Sequence, residues 1–253
     1  MNWPAEAIWE AVSPLVPGFT VEVLPEIVST NTELMRRARA GRTEPTLLVA
    51  EQQTAGRGRL GRGWASEAGA SLTVSLGLAL APRDWSGLSL AVGAAVAEAL
   101  HPRISLKWPN DLWLDGRKLA GILVETASFG EAKDAARYAV TGIGINISPR
   151  DGAGLSTPPA ALQEVLPGIK APQALLRIAL PLVQAVQAFE GFGFAPFQAR
   201  FNARDALRER EVELSDGTRG TAHGASESGA LLVHTSRGMV AVTSSEVSVR
   251  PVP

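Results

Sequence analysis

The chain has 253 residues, 45% of them hydrophobic, with 24 basic against 25 acidic side chains and no cysteine. That is enough apolar material for one large domain or two modest ones, and a formal charge of -1 gives no bulk attraction to nucleic acid, so any anion must be held by locally clustered arginines. A disulfide framework, a thiolate nucleophile and a sulfur-bearing zinc site are excluded.

The opening MNWPAEAIWEAVSPL carries acids and prolines where a secretory signal has a basic start and an apolar run, which leads us to expect a cytoplasmic protein. No stretch reaches the roughly 18 uninterrupted apolar residues of a membrane span, so no membrane partner is expected. From residue 19 to 50 the pattern runs strand (FTVEV), polar helix (residues 31–40), strand (TLLVA), a β-α-β opening. Ser29, Thr30 and Asn31 stand between the first strand and the helix, with Glu33 close behind, where N-caps and exposed helix-end amides occur.

The run SLTVSLGLAL alternates and predicts a half-buried strand; Leu88, Val92, Ala95, Val96, Ala99 and Leu100 have helical spacing. ISLKWP, DLWL, KLAGILVET and YAVTGIGINI predict a meander, with Asp115-Gly116 supplying hairpin chemistry. Residues 148–170 read as a loop around a short helix. Two helices follow, the first expected to kink or break at Pro181. Past residue 204, VEL, LLVHT, MVAVT and EVSVR alternate with turns and suit a small closed β-barrel. The expected organisation is α+β: a mixed sheet packed with helices over residues 1–204, then a small β domain over 205–253.

Three segments carry the chemistry. Residues 56–63, GRGRLGRG, contain a literal G-x-G-x-x-G, but a dinucleotide fingerprint must open a helix and this one runs through Trp64 toward a β-pattern. What remains is three arginines among glycines, so that backbone amides and guanidinium forks can both approach an anion. A solvated surface loop has the same composition; Trp64 argues for the site, since an aromatic ring beside such a loop offers a base a stacking face. A loop so rich in glycine is expected to order on its ligand and exclude water. In KWPNDL a cation, an amide and a carboxylate meet at a chain corner. Lys118 projects from the edge of the apolar strand LAGILVE, where its charge acts strongly on an anion, although a lysine snorkelling to solvent fits the same pattern. Gly142 and Gly144 let a ligand or another chain segment come close to GIGIN. His101, His223 and His234 are scattered and read as structural or exposed.

Ser29-Thr30-Asn31, Gln53 before GRGRLGR, KWPNDL, GRKLAGILVE and GIGIN, in that order, resemble the motif set of the biotin–protein ligases. The likeness covers about residues 27–147; the C-terminal β-module matches the family's small SH3-like domain in position and only loosely in sequence. The resemblance implies that Ser29, Thr30, Asn31 and Gln53 hold the biotin ureido head, and that Arg57, Gly58 and Arg59 contact the carboxylate and phosphate region. By the same resemblance Lys118 bridges the biotin carboxylate and the α-phosphate, with Arg59 as its catalytic companion, and Arg62 and Trp64 serve the adenylate, Trp64 by stacking on adenine. Asn110, Asp111 and Asn146 would contribute to the nucleotide and metal environment. It implies biotin, ATP and Mg²⁺ as substrates and cofactor and a biotin carboxyl carrier protein as acceptor, and it allows a homodimer. Some members carry an N-terminal helix-turn-helix; the 18 residues before the first strand hold none, so no DNA binding is expected. A lipoate ligase and a non-catalytic RNA-binding module are the alternatives, the first disfavoured by Gln53 and the polar Ser-Thr-Asn run, the second by net charge.

Overall fold

A computed structural model describes residues 1–128, 136–153, 157–243 and 249–252. Helix α1 (Ala5–Val12) leads into strand β1 (Thr20–Ile27), helix α2 (Thr30–Arg39) and strand β2 (Thr46–Gln53). The arginine-glycine segment forms a hairpin of β3 (Gly56–Arg57) and β4 (Gly63–Trp64) around a 3₁₀ turn, and β5 (Ser71–Leu80) and α3 (Leu88–Leu100) follow. The meander is β6 (Ile104–Lys107), β7 (Asp111–Leu114), β8 (Arg117–Ser128) and β9 (Arg137–Asn146). Helices α4 (Ala171–Phe192) and α5 (Ala195–Asn202) precede β10 (Glu211–Leu214), β11 (Arg219–Ala225), β12 (Leu231–Thr235), β13 (Gly238–Val242) and β14 (Val249–Pro251).

The first seven long strands form one sheet in the order β1-β2-β5-β9-β8-β7-β6. Only β1 and β2 are parallel, because α2 returns the chain between them; the other pairs are antiparallel. Asp115 and Gly116, both at positive φ (49° and 77°), make the tight β7–β8 turn that their sequence predicts.

β5 departs from expectation. Its alternation is present, with Leu72, Val74, Leu76, Leu78 and Leu80 facing the main core, yet Thr73 and Ser75 are buried too. The strand is central, and its polar stripe faces α2 and a cavity, where Thr73 Oγ1 donates to the Ala50 carbonyl and Ser75 Oγ meets Thr30 and Asn31. Pro181 does not break α4, which runs unbroken for 22 residues. Leu175, Ile178, Leu182, Val183, Val186 and Phe189, all at most 1% exposed, lie in the main core with α3, and this packing offsets the lost helix bond. By length and composition α4 could cross a membrane; here its apolar face is core.

The C-terminal strands form a second antiparallel sheet, β13-β12-β11-β10-β14, with β13 and β14 as its edges among the described residues. Strand β11, RGTAHGA, escaped sequence reading because its small residues and glycines hide the alternation. Part of the EVSVR segment lies outside the described residues. At residue 204 the chain is pinned to edge strand β6: Leu106 N donates to Arg204 O and Ala206 N to Leu106 O, both at 2.8 Å. The buried core continues from the large sheet into Val212, Leu231 and Val233, and the Trp108 indole donates to Gly229 O at 3.0 Å.

Candidate active site

The face of the large sheet opposite α3 and α4 is covered by α2 only in part. Leu34, Met35 and Ala38 pack on Leu48, Tyr138 and Val140 and close that region. Beyond it the sheet is left open as a cavity of about 250 Å³, walled on one side by the β3–β4 hairpin. Every residue singled out above as a site residue lines it, although they come from α2, β2, the hairpin and the β6 to β9 meander.

At one end the polar side chains are locked together. Ser29 caps α2, accepting from Thr32 N at 3.4 Å. Gln53 Oε1 accepts from Thr30 N (2.8 Å) and Thr30 Oγ1 (3.0 Å). Asn31 Nδ2 donates to Leu123 O (3.2 Å) and Glu125 Oε2 (3.0 Å), while its Oδ1 lies 2.6 Å from Ser75 Oγ. The amide fits because Gly142 stands beneath it: a Cβ there would be 2.0 Å from Asn31 Oδ1. These buried groups satisfy one another and hold fixed orientations toward the cavity.

A second glycine step lies next along the sheet. A Cβ at Gly144 would be 2.3 Å from Trp64 Cε2, and one at Gly121 3.6 Å from Trp64 Cζ3, so the indole lies directly on the strands. Trp64 Nε1 is buried without an acceptor among the described residues, and the Arg150 guanidinium sits 5.8 Å from the ring centre.

Past the indole the site turns cationic. Lys118 Nζ is 2.7 Å from Asp111 Oδ1 and only 3.5 Å from where a Gly121 Cβ would stand. Arg59 Nη1 donates to Asn110 Oδ1 at 3.3 Å, and burial lowers its pKa with Asp111 opposing. Arg57 reaches back to Glu125 (3.1 Å) and Thr32. Asn110 and Asn146 spend their amide protons on backbone carbonyls, Asn110 on Ile122 O and Asn146 on Lys118 O and Ala160 O, so both brace the strands that carry Lys118 and Asp111. Among the described residues no three His, Cys, Asp or Glu side chains cluster as a metal site. His101, His223 and His234 lie outside the cavity, His223 paired with Glu209 at 3.1 Å.

Three further cations line the same cavity: Lys107, noted in sequence but given no site role, and Arg150 and Arg250, which sequence reading missed. Lys107 stands in the KWPNDL motif and was legible; Arg250 arrives from the second sheet, and no local pattern announces it.

The arrangement, a polar head pocket leading into a basic channel over an aromatic floor, suits a small polar molecule joined to a nucleotide. Residues 23–146 match the family model for the biotin/lipoate A/B protein ligase family. The chain is 37% identical over 227 residues to the bifunctional ligase/repressor BirA of Escherichia coli, covering 85% of this chain and 70% of that one. It is 32% identical to the biotin–[acetyl-CoA-carboxylase] ligase of Paracoccus denitrificans, over 87% of this chain and 96% of the relative. The solved biotin protein ligase of Aquifex aeolicus in complex with biotin and ATP superposes with a TM-score of 0.75 at 31% identity, covering 92% of this chain and 99% of that one. The chain belongs to the biotin/lipoate A/B protein ligase family.

Proposed function

We propose that the chain is an ATP-dependent biotin–protein ligase that forms biotinyl-5'-adenylate and passes the biotinyl group to a lysine of a biotin carboxyl carrier protein or domain. One observation carries the reading: a single cavity joins the locked amides and hydroxyls of Thr30, Asn31 and Gln53 to the cations around Lys118. The ureido head of biotin has two donors and one acceptor and needs such partners in fixed orientation. With its carbonyl oxygen taken by Thr30, Gln53 keeps its amide nitrogen for the head.

In the first half-reaction a biotin carboxylate oxygen attacks the α-phosphorus of ATP, the new C–O–P anhydride forms, and the bond to the β-phosphate breaks to release pyrophosphate. Two anions must meet, so Lys118, Arg57 and Arg59 serve by offsetting their repulsion in a partly water-excluded site. Lys118 is spaced for this role by Asp111, which shares its ammonium until an anion arrives. Trp64 offers adenine its outer face, the one now covered by Arg150. Mg²⁺ fits as a companion of the nucleotide: the oxygens of Asp111 and Asn110 are the donors at hand, and this ion is ordinarily held by one or two protein groups plus phosphates. In the second half-reaction the acceptor amine attacks the anhydride carbonyl and AMP leaves, with the β3–β4 hairpin guarding the anhydride from water.

The test is incubation with biotin or lipoate, ATP and a carrier domain, read by pyrophosphate release and by acceptor mass. The biotinyl increment with biotin alone supports the reading; transfer of lipoate, or no pyrophosphate with either acid, refutes it.

A further inference from the structure

One carboxylate serves two elements of the site without lining it. Strand β8 turns Gly121 and Leu123 to the cavity, and Glu125, two residues further along the same face, lies past the cavity's end. Its surroundings on that face are apolar: Val140 is its partner on β9, Ala127 and Tyr138 form the next pair, and all three pack with α2. A carboxylate so placed costs stability unless its oxygens are engaged. Both oxygens are: Oε2 accepts from Asn31 Nδ2 at 3.0 Å, and Oε1 pairs with the Arg57 guanidinium at 3.1 Å.

The two contacts have different consequences. Asn31 Nδ2 faces Glu125 Oε2 and Leu123 O, which can only accept, so the amide is held against flipping and its Oδ1 stays beside Ser75 and Gly142, on the cavity side. Asn31 is thereby kept as an acceptor for an N–H of a bound head group. Arg57 belongs to the β3–β4 hairpin, whose strands are joined by two residue pairs. Its bonds to Glu125 and to Thr32 Oγ1 (3.4 Å) fasten that hairpin to β8 and to the first turn of α2, beside the head pocket. A guanidinium has five donors, so the tether leaves Arg57 others to offer an anion.

Resting on the ligase reading, we propose that Glu125 is a positioning residue for biotin: it fixes Asn31 as an acceptor for a ureido N–H and, through Arg57, tethers the hairpin over the head. One carboxylate then sets how long biotin stays in its pocket. Glu125 does not line the cavity, so it acts through these two side chains, at the end opposite Lys118 and Arg59.

The experiment compares the wild-type chain with Glu125→Gln, which keeps the shape, loses the charge and lets the Asn31 amide flip, and with Glu125→Asp, which keeps the charge on a shorter stem. Three quantities are read: biotin association and dissociation rates without nucleotide, the KM values for biotin and ATP in pyrophosphate release, and protease cleavage within residues 56–63 of the unliganded chain. Glu125→Gln should release biotin about three- to tenfold faster, as for one partly exposed charge-assisted contact, with association within about twofold of wild type. Its KM for biotin should rise more than its KM for ATP, and its unliganded hairpin should be cut faster; Glu125→Asp should fall between it and the wild type. Equal rises in the two KM values beside a lower melting temperature would show a structural role and overturn the proposal. So would biotin release and hairpin cleavage at wild-type rates. If the wild type binds no biotin, the ligase reading fails by itself, while cleavage of the unliganded chain still decides whether Glu125 tethers the hairpin.

Discussion

The two glycine steps separate the ends of the site well enough to be tested by adding one methyl group at a time. At Gly144 a Cβ would be 2.3 Å from Trp64 Cε2 and 2.6 Å from Cζ2, whereas ordinary contact begins at 3.4 Å, so the indole must withdraw by about 1.1 Å. The sheet itself has no reason to move: Gly144 is not at positive φ and lies in register between β5 and β8. The hairpin yields instead, since only the pairs Gly56–Trp64 and Arg57–Gly63 hold it together as strands. Overpacking of this kind costs about 1–3 kcal/mol. In Gly144→Ala that cost falls on seating the indole on the strands beneath the nucleotide, which is a rise of about 5- to 150-fold in KM for ATP. The KM for biotin should change far less, and the melting temperature should fall by no more than about 4 °C. Gly142→Ala should do the reverse: its Cβ would be 2.0 Å from Asn31 Oδ1, so it displaces an amide that holds three partners and weakens biotin binding first, at a larger cost in stability. Steady-state kinetics with each substrate varied, beside thermal melts, measure both variants. If Gly144→Ala raised the biotin KM as much as the ATP KM, the assignment of the indole to the nucleotide end would be wrong.

Lys118→Ala should lose on the order of a hundredfold or more in adenylation rate, about 3–4 kcal/mol of charge stabilisation; pre-steady-state pyrophosphate release measures it, and wild-type turnover would sink the role. Protease cleavage within residues 56–63 should slow when biotin and ATP are added together, as judged by fragment mass, and unchanged cleavage would count against closure of the hairpin. Asp205 gives a pH signature. Its Oδ2 is buried without a hydrogen-bond partner among the described residues, and desolvation raises its pKa from 3.8 to about 6, so the native state holds this proton more tightly than the unfolded chain does. Its contribution to stability is present at low pH and is lost as pH rises from about 4 through about 6, at most about 3 kcal/mol. Asp205→Asn should remove that part of the pH dependence, read as denaturant unfolding at pH 4 and 7; equal slopes in the two proteins would refute it.

What the sequence showed depended on how local each signal was. The β-α-β opening, the meander and the Asp115-Gly116 turn rest on short-range pattern and turn chemistry, and they were legible. Ser29 as a cap and Lys118 at a strand edge were legible for the same reason. The misread burial of β5 is a tertiary fact: Thr73 and Ser75 look solvent-facing until α2 and the cavity are known to lie above them. The unbroken helix across Pro181 is another, because propensity reports the lost hydrogen bond and not the packing that offsets it. β11 failed for lack of bulky β-formers. Arg250 could not be found at all, since its place beside the cavity depends on where a second sheet lands.

The charge arrangement explains how such a site can stay folded with its cations gathered. Lys118, Arg59 and Lys107 all feel one carboxylate, Asp111, which Lys118 contacts directly. Asp111 partners Lys107 on β6 and Gly121 on β8 in register, so β7 carries the negative charge between two strands that carry the positive ones. The positive field at this end of the cavity is what an entering polyphosphate finds. Replacing Asp111 by asparagine would therefore free Lys118 but remove the carboxylate that Lys118, Arg59 and Lys107 share. The resulting variant should bind anions indiscriminately and melt lower, and should fail to regain activity by gaining phosphate affinity. Affinity for phosphate and productive placement of Lys118 are separable properties of this site, and Asp111 trades the first for the second.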